Sequence, residues 1–94
     1  MEVTRYARRV DQNQSAIVEA LRTAGAKVKV IHQPFDLQIW ADNGKTMYIE
    51  VKNPLTPYGK RGPNQKQAEE AQGLPYATVY TVDAAIRAYE VLQA

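Results

Sequence analysis

The chain has 94 residues, 45% of them hydrophobic, and a formal net charge of +2, which suits one domain over residues 1–94 with a single core. Because cysteine is absent and His32 is the one histidine, we exclude disulfides, cysteine nucleophiles and histidine-rich zinc sites, and any metal must be bound mainly by oxygen. No apolar run approaches the roughly 20 residues of a membrane span, so we expect a cytoplasmic protein with no membrane partner.

The chain begins with a predicted helix and a predicted edge strand. Asp11, followed three residues later by Gln14, forms a capping-box pattern, and apolar residues then recur at helical spacing as far as Gly25. This pattern predicts a helix over residues 12–24. Valine alternates with lysine over residues 27–31, which predicts a strand with one buried face at an edge of the sheet, because outward lysines discourage further pairing.

Two central strands are predicted over residues 35–41 and 45–52. Their apolar residues can pack on one side of the sheet only in one register, which needs a three-residue loop with Gly44 in the left-handed region. That register pairs Phe35 with Val51, Leu37 with Ile49, Ile39 with Met47, and Ala41 with Lys45. It also places Asp36 opposite Glu50, on the face to which Lys52 points.

The second half of the chain predicts a loop, a helix, a strand and a last helix. Prolines and glycines make residues 53–62 a loop, and Pro63 suits a first helical position before a helix over residues 65–72. A strand follows over residues 76–82, and Asp83 caps the last helix. The apolar stripe of that helix is expected in the core or in a dimer contact, and it consists of Ile86, Tyr89 and Leu92.

The predicted order is therefore helix, three strands, helix, strand, helix. This order predicts an α/β (α+β) fold, with a small mixed sheet flanked by helices. The aromatic residues on the outer face of the central strands, Trp40 and Tyr48, are expected to pack under a helix or to supply dimer contacts.

Two opposed carboxylates repel each other, so a positive group is expected beside Asp36 and Glu50. Lys52 could supply that charge alone, in a structural ion pair. The other interpretation is a divalent cation, because Mg²⁺ takes one or two carboxylates together with water and substrate phosphate. The backbone carbonyl of Val51 would then be a further ligand, and Lys52 would orient water or stabilise a transition state in phosphodiester hydrolysis.

Asp36 followed by Glu50-Val51-Lys52, within this element order, resembles the motif of the PD-(D/E)xK nuclease superfamily. Further segments are similar to small phage-associated enzymes of its VRR-NUC branch, which is related to archaeal Holliday junction resolvases. These segments are DQNQSAIVEALRTAG from Asp11 to Gly25, Phe35-Asp36-Leu37, the IEVK strand, and Pro63-Asn64-Gln65.

The resemblance implies a restriction-endonuclease-like αβββαβα core and a Mg²⁺- or Mn²⁺-dependent DNA endonuclease. It implies a metal at Asp36 and Glu50, a catalytic Lys52, and a helix glutamine, here Gln65, that contacts the metal site or a phosphate. For Gln65, a plain amide on the helix surface is an equal alternative. Members active on branched DNA, such as Holliday junctions, usually form homodimers. Many members also have a glutamate on the first helix, and Gln14 stands at that position here. Gln14 could give the metal a neutral oxygen ligand, although its capping-box role is the simpler explanation. Alternatively, the acidic role belongs to Asp11 or Glu19.

Basic residues cluster in two parts of the chain that would contact DNA phosphates. These residues are Arg5, Arg8 and Arg9 near the start, and Lys60, Arg61 and Lys66 after the third strand. Two alternatives to a nuclease remain open at this point. One is a non-catalytic nucleic-acid-binding module that keeps the fold, with Glu50 and Lys52 as a plain ion pair, and the other is an assembly subunit whose basic loop contacts protein.

Overall fold

The computed structural model describes residues 2–52 and 65–94, with side chains described from Asn13 onward. Within these ranges it is a mixed α/β fold with a four-stranded sheet and flanking helices, in the predicted order. The elements are α1 (Glu2–Thr23), β1 (Lys27–Val30), β2 (Leu37–Trp40), β3 (Thr46–Val51), α2 (Gln65–Glu70), β4 (Tyr76–Val79) and α3 (Val82–Gln93). Every helix in the described ranges is too short or too polar to cross a membrane.

The sheet has the order β1-β2-β3-β4. The pairs β1–β2 and β2–β3 are antiparallel, whereas β3 and β4 are parallel. The predicted edge position of the first strand is therefore confirmed. Its predicted buried face forms only in part, because Val28 is half-buried while Val30 is 39% exposed.

The core lies between one face of the sheet and the helices α1 and α3. It contains alternate residues of β2 and β3, as the period of two along a strand requires. Its large members are Ile17, Val18, Leu21, Leu37, Ile39, Met47, Ile49, Val79, Tyr89 and Leu92. Tyr89 and Leu92, from the predicted stripe of the last helix, are therefore core residues, and Ile86 packs against them partly buried.

The first helix is longer than predicted, because it begins at Glu2 and not at residue 12. Asp11 and Gln14 lie inside α1, so the capping-box prediction is wrong. The segment before Asp11 contains neither glycine nor proline and is rich in helix-forming residues, so nothing in it ends a helix.

The start of the last helix also differs from the prediction. Thr81 is the N-cap, because its extended backbone lets its hydroxyl oxygen accept a hydrogen bond from the Ala84 N–H at 3.1 Å. Asp83 lies in the first turn, where an acidic side chain interacts favourably with the helix dipole. The four strands and α2 are present as predicted, and each is one to three residues shorter than predicted.

Candidate active site

The hairpin formed by β2 and β3 has the register predicted from its apolar residues. Leu37 pairs with Ile49, and Ile39 pairs with Met47. The Ala41 N–H donates to the Lys45 carbonyl at 2.9 Å, which closes the predicted three-residue loop. Gly44 has a φ of +86°, in the region that favours glycine.

The pairing changes just before β2, at Phe35 and Asp36. Phe35 does not pair with Val51; it is fully buried on the other face, where its ring stacks on Tyr48 at 5.3 Å. The prediction for Phe35 is wrong because a turn precedes β2, closed by a 2.9 Å hydrogen bond from the Ile31 N–H to the Asp36 carbonyl. In place of a backbone partner, the Val51 N–H donates to Asp36 Oδ2 at 2.8 Å.

The carboxyl groups of Asp36 and Glu50 lie together on this face, as the register predicts. Their negative charges interact, and the pKa of Asp36 is raised from 3.8 to about 6. Burial of the Asp36 carboxyl is the largest cause, and the negative charge of Glu50 raises the pKa further. The hydrogen bond from Val51 and the charge of Lys52 act in the opposite direction.

Glu50 is the buried member of the pair, and two other side chains hold it. The Lys52 ammonium lies 3.3 Å from Glu50 Oε2, with side-chain exposures of 23% for Lys52 and 11% for Glu50. The amide of Gln67 on α2 donates to the same oxygen at 3.2 Å. The contact required by the ion-pair interpretation is therefore present, and its geometry fits either a structural or a catalytic lysine.

The glutamine that α2 brings to the site is Gln67, not the predicted Gln65. Gln65 is exposed and donates to Glu69 at 3.2 Å, whereas Gln67 also donates to the Pro34 carbonyl at 2.7 Å. Residues two positions apart on a helix point to opposite sides, so only one of them can face the carboxylates. The sequence offers no signal for choosing between two glutamines on such a short helix.

The contact from the first helix also comes from an unpredicted residue. Asn13 donates to the Lys52 carbonyl at 3.1 Å and joins α1 to the end of β3. Gln14 and Glu19 line a different hollow, together with Val30, so α1 does not bring them to the carboxylate pair. The side chain of Asp11 lies outside the described residues.

Of the predicted DNA-binding residues, Lys66 on α2 is described and is exposed. The side chains of the other five lie outside the described part of the chain, as do the predicted loop over residues 53–62 and Pro63. These five predicted DNA-binding residues are Arg5, Arg8, Arg9, Lys60 and Arg61.

The residues of the site fit an oxygen-bound divalent cation. Among the described residues, no group of three or more histidine, cysteine, aspartate or glutamate side chains could hold a metal. Two carboxylates are nevertheless enough for Mg²⁺ when water and phosphate complete its ligands. Because the N–H and carbonyl of a strand residue point to the same neighbour, the Val51 carbonyl also faces the side of Asp36. A cation here would offset the repulsion that raises the pKa of Asp36.

Comparisons of the chain with protein-family models, with curated proteins and with solved structures find no match.

Proposed function

We propose that this chain is a Mg²⁺- or Mn²⁺-dependent DNA endonuclease that hydrolyses phosphodiester bonds, including those of branched DNA such as Holliday junctions. The observation that carries the proposal is the Asp36–Glu50 pair: the two carboxyl groups interact on one face of the sheet, and the Lys52 ammonium lies 3.3 Å from Glu50. The resemblance of the Asp36 and Glu50-Val51-Lys52 motif to the PD-(D/E)xK superfamily supports it.

Each residue of the site has a distinct task in this proposal. Asp36, Glu50 and the Val51 carbonyl would hold the cation, and a cation bound there would supply Lewis acidity and positive charge beside the phosphate. Lys52 can donate a hydrogen bond to the attacking water or to a phosphate oxygen, because its side chain is 23% exposed and its ammonium already lies at the pair. Gln67 keeps Glu50 in place through the hydrogen bond to Oε2.

A non-catalytic nucleic-acid-binding module is the second candidate function. The 3.3 Å ion pair between Glu50 and Lys52 favours it, because this contact neutralises Glu50 without any metal. In this alternative, Lys66 and the other basic residues bind phosphates and the carboxylates only support the hairpin. The two candidates differ in one measurable property, which is cleavage.

The test is to incubate the full chain with single-stranded, duplex and four-way-junction DNA in Mg²⁺, in Mn²⁺ and in a chelator. We expect cleavage products in the metal-containing samples and intact DNA in the chelator. Binding of DNA without cleavage in either metal would contradict the nuclease and support the binding module. Mass measurement of the protein in solution, with and without DNA, tests the homodimer that we propose for the active form.

Removal of the Gln67 amide should lower cleavage, whereas removal of the Gln65 amide should not. We expect Gln67→Ala to reduce the cleavage rate and the apparent metal affinity by about 10- to 100-fold, the usual effect of losing a group that orients a metal ligand. Gln65→Ala is the matched control on the same helix, because Gln65 contacts exposed Glu69. Equal rates for the two variants would contradict the assignment of Gln67.

A further inference from the structure

A polar hollow of about 280 Å³ lies beside the carboxylate pair, between the turn before β2 and the helix α2. We call it the α2 hollow. It is lined by His32, Gln33, Pro34, Lys66, Gln67 and Glu70. Gln67 connects it to the site, because the same amide donates to Glu50 Oε2 at 3.2 Å.

The two walls of the α2 hollow are held in place by hydrogen bonds. Gln67 donates to the Pro34 carbonyl at 2.7 Å, which ties α2 to the turn. The turn is itself closed by the 2.9 Å bond from the Ile31 N–H to the Asp36 carbonyl. One turn therefore positions both the Asp36 carboxyl and a wall of the hollow, so a ligand bound there lies next to the proposed cleavage site.

The groups in the α2 hollow suit a neutral ligand with both donors and acceptors. Lys66 donates hydrogen bonds, Glu70 accepts them, and the amide of Gln33 can do both. For an isolated phosphate, repulsion by the carboxylate of Glu70 would oppose the attraction of Lys66. A nucleobase has donors and acceptors along its edges, and lysine and glutamate are among the side chains that recognise those edges.

The size of the hollow and the geometry of DNA narrow the ligand further. A volume of about 280 Å³ lies just below the roughly 300–1,000 Å³ of small-molecule pockets, which suits a single ring system. A base that is paired and stacked in a duplex presents only its groove edges, so its ring cannot enter a hollow on a protein surface. The ligand must therefore come from single-stranded or branched DNA, where bases are unpaired.

We propose that the α2 hollow binds the unpaired base of a nucleotide next to the cleaved phosphodiester bond. The inference rests on the proposed nuclease function for the position of that bond, and it names the substrate class as DNA with unpaired bases at the cut. Lys66 and Glu70 hydrogen-bond to the edge of the base, and Pro34 packs against its ring.

The experiment measures DNA binding in a chelator, where no metal-dependent cleavage occurs. Fluorescence anisotropy compares a labelled single-stranded oligonucleotide with a strand of the same length that carries abasic sugars throughout. We expect the full chain to bind the strand with bases about 10-fold more tightly, the effect of one well-contacted base. Glu70→Ala and Lys66→Met should each reduce this preference to about 2-fold or less.

Glu69→Ala is the matched control, because Glu69 is the neighbouring acid and contacts Gln65 outside the hollow. It should keep the preference. Equal binding of the two strands by the unchanged chain would overturn the inference, as would an equal loss in Glu69→Ala. An equal loss of affinity for both strands in Lys66→Met, with the preference kept, would also overturn it, because that pattern belongs to a phosphate contact. If the chain prefers the strand with bases but cleaves no DNA in Mg²⁺ or Mn²⁺, the proposed nuclease function is refuted and base binding in the hollow is not.

Discussion

Replacing Asp36 with asparagine should abolish metal-dependent cleavage and at the same time stabilise the folded chain above pH 6. Asparagine keeps an oxygen that can accept the 2.8 Å hydrogen bond from the Val51 N–H. It removes the negative charge that burial and Glu50 make unfavourable. Because a cation ligand is lost, we expect the cleavage rate to fall by at least about 1,000-fold, which corresponds to several kcal/mol.

The sign of the stability change follows from the pKa of Asp36. The group has a pKa of about 6 in the folded chain against 3.8 ordinarily. Between pH 3.8 and 6, the folded chain therefore binds this proton more tightly than the unfolded chain does. Stability contributed by this group is therefore greatest at acid pH and falls as the pH rises from about 4 through 6. Above pH 6 the charged carboxyl destabilises the folded chain, and the asparagine variant should lack this loss.

Thermal unfolding between pH 4.5 and 8 measures the effect. The carboxyl is partly exposed, and solvent screening reduces the penalty, so we expect a gain of about 1 kcal/mol above pH 6. That gain corresponds to a rise in melting temperature of roughly 4–8 °C. Mg²⁺ should raise the melting temperature of the unchanged chain more than that of the variant.

Asp42→Asn is the control for Asp36→Asn, because Asp42 is an exposed loop residue and its substitution removes the same charge. It should leave cleavage and the response to Mg²⁺ unchanged. A lower stability of Asp36→Asn above pH 6 would show that the carboxylate is a structural group. Retained cleavage by the variant would remove Asp36 from the proposed site.

Replacing Lys52 with methionine should separate cleavage from metal binding. Methionine keeps a long unbranched side chain but cannot donate a hydrogen bond or carry a charge. We expect the cleavage rate to fall by about 100- to 10,000-fold, the range for loss of a proton donor or an electrostatic stabiliser. Metal binding should be retained or tightened, because the ammonium that competes for Glu50 Oε2 at 3.3 Å is gone.

Titration of Mg²⁺ followed by thermal unfolding, together with cleavage rates at saturating metal, measures both parts of this prediction. Lys45→Met is the matched control, because Lys45 is exposed at the other end of β3 and contacts the carbonyl of Ala94. A purely structural Glu50–Lys52 pair makes a different prediction. In that case Lys52→Met lowers the melting temperature, and the cleavage rate falls only as far as the fraction of folded protein falls.

The central part of the candidate site could be predicted from the sequence for a local physical reason. Side chains alternate along paired strands, so the apolar residues of β2 and β3 allow one register, and that register directs Asp36 towards Glu50. Asp36 itself lies in the turn before β2, where its carboxyl accepts the Val51 N–H. The three-residue loop before Lys45 agrees with that register, because Gly44 stands where the backbone needs a positive φ. The element order is predictable for the same kind of reason, since glycines and prolines separate segments of different periodicity.

Contacts between elements distant in sequence were not predictable in this way. Gln67 rather than Gln65 meets Glu50 because the placement of α2 over the sheet selects one side of a six-residue helix. Asn13 contacts the Lys52 carbonyl because α1 continues without a break through the segment where a cap was expected.

The site's chemistry therefore divides between local pattern and tertiary structure. Local alternation alone determined the register of β2 and β3, and hence that Glu50 lies on the face away from the apolar residues, because a strand has a period of two. The turn before β2 then places the Asp36 carboxyl beside Glu50, since Asp36 lies outside the paired residues. Only the tertiary structure decided how deeply Asp36 is buried, and hence that its pKa rises to about 6. It also decided the position of Phe35, because desolvation and packing depend on what covers a residue, and that covering comes from elements elsewhere in the chain.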